Sequence, residues 1–252
     1  MKIPQSVLRE LFEHCELSLI DKTIYLVAAV CLPNSLAELC ARAKASRSAT
    51  LRACRNLVRL GWMSLVKTGN RIRPIALVPY QYQVKMAQDL EAVYGLVRNK
   101  GEFLMKRYLD LRINSDEFVD NARPEFLVNP MTDEPLEYDR YYMSRVAFEF
   151  NGPQHHGTTE AYPDEKALKE AKARDLFKKA LSDKTGVKLI TVTAEDLRPD
   201  VLGKLIPDDL PLNPIDEAGP HFKALVRICM AYAAKAARQT GVAQPVRVGV
   251  KK

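Results

Sequence analysis

The chain has little of what marks secreted, membrane-bound or thiolate-metal proteins. Its 252 residues include five cysteines, at 15, 31, 40, 54 and 229. The count is odd and no two form a C-x-x-C pair, which argues against a disulfide framework and against a zinc-thiolate site. The histidines at 14, 155, 156 and 221 do not pair with these cysteines at ligand spacing. The cysteines are expected to be small buried hydrophobes in a reducing compartment. Met1-Lys2-Ile3-Pro4 has no apolar leader segment behind it. The longest apolar run, 24–33, is too short to span a bilayer. The expectation is a cytoplasmic protein with no membrane partner. There are no internal repeats.

Acid is missing from one stretch in particular. Lys and Arg total 38 against 31 Asp and Glu, a net charge of +7, which modestly favours a polyanionic partner. Residues 42–59 hold Arg42, Lys44, Arg47, Arg52, Arg55 and Arg59 and no acid. Apolar spacing predicts a helix over 5–17, from Val7, Leu8, Leu11, Phe12 and Cys15, and a second over 19–31 with Asp21 near its start. Ser35 is expected to cap a third helix, 36–43, with Glu38 completing a capping box. A fourth helix, 47–60, stops at Gly61. Strands over 62–66 and 71–78 then flank a turn at Lys67-Thr68-Gly69-Asn70. On the fourth helix, Leu51, Cys54, Leu57 and Val58 form an apolar stripe, and Arg52, Arg55 and Arg59 form a ridge opposite. Ser46, Arg47, Ser48 and Thr50 crowd its N-terminus, and Lys67, Arg71 and Arg73 flank the hairpin.

The stretch SLAELCARAKASRSATLRACRNLVRLGWMSLVKTGN, with its helices followed by a Gly-Trp-strand hairpin, resembles a winged helix-turn-helix. That resemblance implies DNA as partner. Phosphate contacts would dominate affinity, and a few residues at the start of the fourth helix would touch base edges. The alternative is a solvated basic face on a structural domain. A helix over 80–97 leads to a boundary at Asn99-Lys100-Gly101. The expected domains are 1–98, 99–200 and 201–252, the last a Pro-rich linker or surface strap, a helix over 219–239 that docks on the core or on a second subunit, and a basic tail.

The most informative stretch is LEYDRYYMSRVAFEFNGPQHH, residues 136–156. It reads as two strands, 136–142 and 143–150, closed by the turn signal Asn151-Gly152-Pro153. A weak strand is expected near 125–128. Alternation puts Glu149 and Asn151 on one face and Phe148 and Phe150 on the other, an apolar one. Asp139, ten residues earlier on the neighbouring strand, can place a second carboxylate beside Glu149. Two carboxylates at one sheet end suit Mg²⁺ or Mn²⁺. The alternative is that each acid points to solvent from an edge strand. A charged helix over 164–181 and a strand over 186–193 follow, and the strand-helix-strand spacing implies a parallel crossover.

FEFNGPQHH preceded by YDRYY, followed by EKALKEAKARDLFKKAL and GVKLITV, and with GEFLMKRYLDL upstream at 101–111, resembles the PD-(D/E)xK nuclease superfamily over residues 100–197. Carried over position by position, the resemblance makes Asp139 and Glu149 metal ligands, Glu102 an accessory acid, and Gln154 and His155 polar groups of the active site. Asp175 and Lys178 match that family's helix motif. His155 is also placed to act as a general base, and His155-His156 as zinc ligands is the alternative. Asn151 stands where the family usually carries Asp or Lys. An amide is a weaker ligand than a carboxylate and cannot replace a lysine's charge. Lys178 or Arg174, pointing over the sheet end toward phosphate, would then substitute for that lysine.

Together these features lead to an α/β (α+β) two-domain chain. A winged helix-turn-helix precedes a restriction-endonuclease-like mixed sheet flanked by helices. The expected function is a DNA-binding, Mg²⁺-dependent (or Mn²⁺-dependent) endonuclease, with Asp139, Glu149, Asn151, Gln154, His155 and Glu102 as catalytic residues. The alternative is a DNA-binding transcriptional regulator whose nuclease-like domain has lost activity. A homodimer, and a partner protein of a mobile element or defence system, stay open as further partners.

Overall fold

The computed structural model describes residues 5–152 and 165–240. It is mixed α/β and falls into two compact units. One comprises Met1–Gly95, Asp110–Asn114 and Pro211–Ala224, and the other Leu96–Leu109, Ser115–Leu210 and Leu225–Lys252.

In the first unit, side-chain caps fix the helix starts. Helices α1 (Gln5–Glu13), α2 (Leu19–Cys31), α3 (Leu36–Ala43) and α4 (Arg47–Arg59) follow in order. The helix expected over 5–17 thus ends at Glu13. Ser18 caps α2 and makes a full capping box with Asp21, whose carboxylate accepts from Ser18 N at 2.9 Å. At α3 the expected box is displaced. Ser35 Oγ accepts from Glu38 N, but the Glu38 carboxylate accepts from Asn34 N, not from Ser35 N. Ser46 caps α4. That helix ends at Gly61, φ 77°, with Gly61 N donating to Val58 O and Trp62 N to Leu57 O. This is a Schellman motif, with the left-handed position filled by the residue that adopts it at least cost. Strands β1 (Met63–Thr68) and β2 (Arg71–Ala76) pair antiparallel around Gly69-Asn70, and α5 (Tyr80–Leu96) follows. Trp62, Ile24, Tyr25, Leu39 and Leu57 are fully buried in one core.

The inward stripe of α4 is Thr50, Ala53, Cys54 and Leu57. Val58, expected inside, is 42% exposed. The segment expected as a linker or surface strap is tied down. Leu212 bridges Ile113, Asn213 N donates to Arg112 O at 2.8 Å, and Leu210 and Asn213 are buried.

The second unit carries a four-stranded sheet in the order β3 (Phe118–Ala122), β4 (Tyr138–Tyr142), β5 (Val146–Asn151), β6 (Lys188–Thr193). β3–β4 and β4–β5 are antiparallel and β5–β6 is parallel. Helices α6 (Lys100–Arg112), α7 (Glu165–Thr185), α8 (Pro199–Leu205) and α9 (Pro220–Thr240) complete the described chain. The weak strand expected near 125–128 is only an isolated bridge, Val128 to Pro135, and the third antiparallel strand lies earlier, at β3. The second hairpin strand begins at Val146, because Met143–Arg145 form the turn with Arg145 at φ 63°.

Both faces of this sheet are covered, so the expected split into one apolar and one polar face holds only at the rim. On the Glu149 face, Ala147 and Tyr138 form a core with Leu127, Leu136 and Val187, against which Phe177 and Leu181 of α7 pack. On the other face α6 comes close to β5: a Cβ at Gly101 would lie 2.1 Å from two ring atoms of Phe150. No single helix among the described residues is long and apolar enough to cross a membrane. Cys54 and Cys229 are buried, whereas Cys15 and Cys31 are exposed.

Candidate active site

The β4–β5 ladder sets the geometry. Arg140 pairs with Phe148, so the next position toward the rim brings Asp139 beside Glu149 on the neighbouring strand. Both carboxylates bond across the strand pair. Phe150 N donates to Asp139 Oδ2 at 2.7 Å, and Asp139 N donates to Glu149 Oε2 at 3.4 Å. From α7, Lys178 Nζ donates to Glu149 Oε1. Lys178 is buried, so this pair is not a solvated surface bridge of the kind that contributes little.

Electrostatics at the pair are unfavourable for two ionised acids. Burial, then the Glu149 charge, push the Asp139 carboxyl up to about 7, against the Phe150 N–H and Lys106, which lower it. Burial also raises Glu149, partly offset by Lys178. Two carboxylates held together in a partly dry rim favour either a proton or a metal cation between them.

The donor set fits a hard, oxygen-seeking ion. Asp139 and Glu149 supply carboxylate oxygens only. No group of three or more His, Cys, Asp or Glu side chains that could hold a metal occurs among the described residues. Mg²⁺ is commonly held by one or two carboxylates and completes its shell with water and substrate phosphate, so two are sufficient.

The other expected residues distribute as follows. Asn151, opposite Thr193 on β6, lines an open cleft of about 360 Å³ with Glu149, Lys178, Asp175, Lys179 and Thr191. Arg174, the other candidate to replace the lysine missing at Asn151, is exposed and its Nε donates to Glu170 O. Glu102 of α6 does not join the carboxylate pair as a ligand in hydrogen-bond contact. It accepts from Lys106 Nζ at 2.5 Å and from Asn99 at 3.2 Å, while its charge still raises Asp139. Gln154 and His155, with His156, lie outside the described residues.

On α4 and the hairpin, Ser46, Arg47, Ser48, Arg52, Arg55, Lys67 and Arg71 are exposed and Arg73 is half-buried. Arg59 is exposed but pairs with Glu16 at 2.9 Å. Thr50 is a correction: it is fully buried and its hydroxyl donates to Ser46 O, so it faces the core and cannot reach a base edge. It lies three residues before the core residue Ala53 and four before Cys54, which places it on the inner face of the helix.

Two residues at this rim were not singled out in the sequence. Lys106 Nζ bonds both Glu102 and Asn121 Oδ1, the latter at 2.7 Å. Its spacing of four from Glu102 was a visible signal. Asn121 had none, because its place depends on the β3–β4 register, where Asp120 pairs with Arg140 and Ala122 with Tyr138. That register sets Asn121 beside Asp139, and on the far side Glu149 pairs with Thr191. One transverse row therefore runs Asn121, Asp139, Glu149, Thr191 across all four strands. No family model, no curated protein and no solved structure matches this chain.

Proposed function

We propose that this chain is a DNA-binding, Mg²⁺- or Mn²⁺-dependent endonuclease, with a PD-(D/E)xK-like catalytic unit and a winged helix-turn-helix reader. The observation that carries the proposal is the convergence of Asp139 and Glu149 at one rim with Lys178 in contact with Glu149.

Asp139 and Glu149 would hold the ion, and Lys178, arriving from α7, supplies the positive charge that Asn151 cannot. When bound, the ion supplies Lewis-acid charge to the phosphate oxygens and makes water a better nucleophile. In the hydrolysis, a water oxygen forms a bond to phosphorus, one P–O ester bond breaks, and the leaving alkoxide takes a proton. The chain's own residues orient the phosphodiester. The Lys178 ammonium donates to a non-bridging oxygen and stabilises the charge that builds there. Asn151 and Thr191 line the approach as neutral hydrogen-bonding groups. The exposed ridge of Arg47, Arg52 and Arg55 supplies phosphate contacts, and covalent linkage to it raises the effective concentration of duplex at the catalytic unit.

A second reading, a non-catalytic DNA-binding regulator, is favoured by Asn151 and by an ion pair that already occupies one oxygen of Glu149. Incubation with supercoiled plasmid and Mg²⁺ or Mn²⁺ separates the two. The endonuclease reading expects nicking that is lost in Glu149→Ala. Equal DNA binding by both proteins with no nicking at any metal would leave the regulator.

A further inference from the structure

Lys106 and Asn121 have no role in the function as described so far, yet they are held with care. The Lys106–Glu102 pair has the i,i+4 spacing of an ordinary solvated helix pair. Its side chains, however, are only 14% and 21% exposed, and Asn121 adds a third partner. Such a pair on an open helix surface would be mostly hydrated. Asn121 also departs from its strand. Its φ of 53° lies in the left-handed region, which asparagine enters more readily than most other non-glycine residues, though rarely inside a strand. Regular alternation would turn its side chain away from those of Asp120 and Ala122. Instead its amide oxygen meets the ammonium of Lys106. A left-handed residue inside a strand, next to a polar cluster, is a feature to be explained.

The placement supplies an explanation. Asn121 stands beside Asp139 in the sheet, and the Lys106 charge is felt at Asp139, where it opposes the rise caused by burial. Lys178 bonds Glu149 from α7, whereas Gly101 on α6 packs on Phe150, the neighbour of Glu149 on the opposite face. The carboxylate row is thus flanked by one lysine from each face of the sheet. An ammonium has three donors. Lys106 uses two, on Glu102 and Asn121, and no third partner occurs among the described residues.

We infer that Lys106, aimed by Glu102 and Asn121, is a substrate-binding residue that donates its third hydrogen to a phosphate oxygen of the nucleic-acid strand. It grips that strand on the side of the rim away from Lys178. The inference rests on the rim being a phosphodiester site, but not on the chain cleaving DNA. Glu102 and Asn121 act through Lys106, so they are positioning residues, which is a different role from the accessory acid expected of Glu102.

The test is binding of thymidine 3′,5′-bisphosphate to the full chain by calorimetry in Ca²⁺, a probe too small to engage a duplex reader. Lys106→Met is expected to weaken binding about ten- to hundred-fold, the range for losing a charged hydrogen bond. Lys106→Arg is expected to restore most of it. Asn121→Gly, which relieves the backbone and removes the amide, is expected to weaken binding several-fold without lowering Tm, and it keeps the test decisive should Lys106→Met not fold. Unchanged affinity in folded Lys106→Met or in Asn121→Gly, or no binding of the probe by wild type at millimolar concentration, overturns the inference. Loss of affinity in these variants alongside a wild type that nicks no plasmid upholds the inference and removes the endonuclease reading. Normal nicking with unchanged affinity does the reverse.

Discussion

Asp139 shows how the chemistry of single side chains makes this rim costly to build. Its carboxyl, pushed up to about 7 from 3.8 by burial and by Glu149, holds its proton more tightly in the fold than in the unfolded chain. Between these two values the folded state binds more protons, so its stability falls as pH rises. The contribution is fully present below the unfolded value and lost as pH rises through about 7. Glu149 shifts in the same direction. Asp139→Asn is therefore expected to raise the Tm of the metal-free protein at pH 8. The gain should be a few degrees, since each kcal/mol is worth roughly 2–4 °C at this size, and it should shrink toward pH 4. A melting series over pH 4–8 checks this; a lower Tm for the variant at pH 8 would contradict it. The same residues show what a sequence can reveal. The two acids were legible from strand alternation and spacing, and Lys178, beside Arg174, from the resemblance of its helix. The Lys178–Glu149 bond, 29 residues apart, and the left-handed Asn121 were not, because both depend on how distant segments meet.

At the scale of elements, helices with their own caps and the strands with strong local patterning, β1, β2, β4, β5 and β6, were readable, and β3 was not. Ser18, Ser35, Ser46 and Gly61 fix α2, α3 and α4 locally, so the sequence marks these helices to within a residue or so. β3 reads FVDNA, with Asp120 and Asn121 of types depleted in strands. Its pairing with β4 spans a long irregular segment and includes the ion pair of buried Arg140 with Asp120 at 2.7 Å, so local propensity points elsewhere. On α4 the helix itself was legible, but the orientation of Thr50 was not. A threonine at a helix start serves equally well at a base edge or as an inward donor to the preceding turn. This sorts the face. Arg52→Ala and Arg55→Ala are each expected to weaken duplex binding at all sequences and to reduce the salt slope of affinity by about one. Anisotropy titrations across salt measure it, and an unchanged slope in both variants would remove the arginine ridge as a phosphate contact.

At the scale of the whole molecule, two compact units divide the tasks assigned to one chain. The basic ridge belongs to the first unit and the carboxylate row to the second, so substitutions in the two are expected to act independently. The modest net charge of +7 conceals this division, because an acid-free stretch in one unit coexists with paired acids in the other. The entire account requires Asp139 and Glu149 to share one cation. Titration of Mn²⁺ into the full chain at pH 8, followed by the loss of the free-ion paramagnetic resonance signal, tests that requirement most directly. One site per chain is expected in the wild type, weakened by at least tenfold in Glu149→Gln. Equal Mn²⁺ binding by the two proteins, or none by either, would contradict the account.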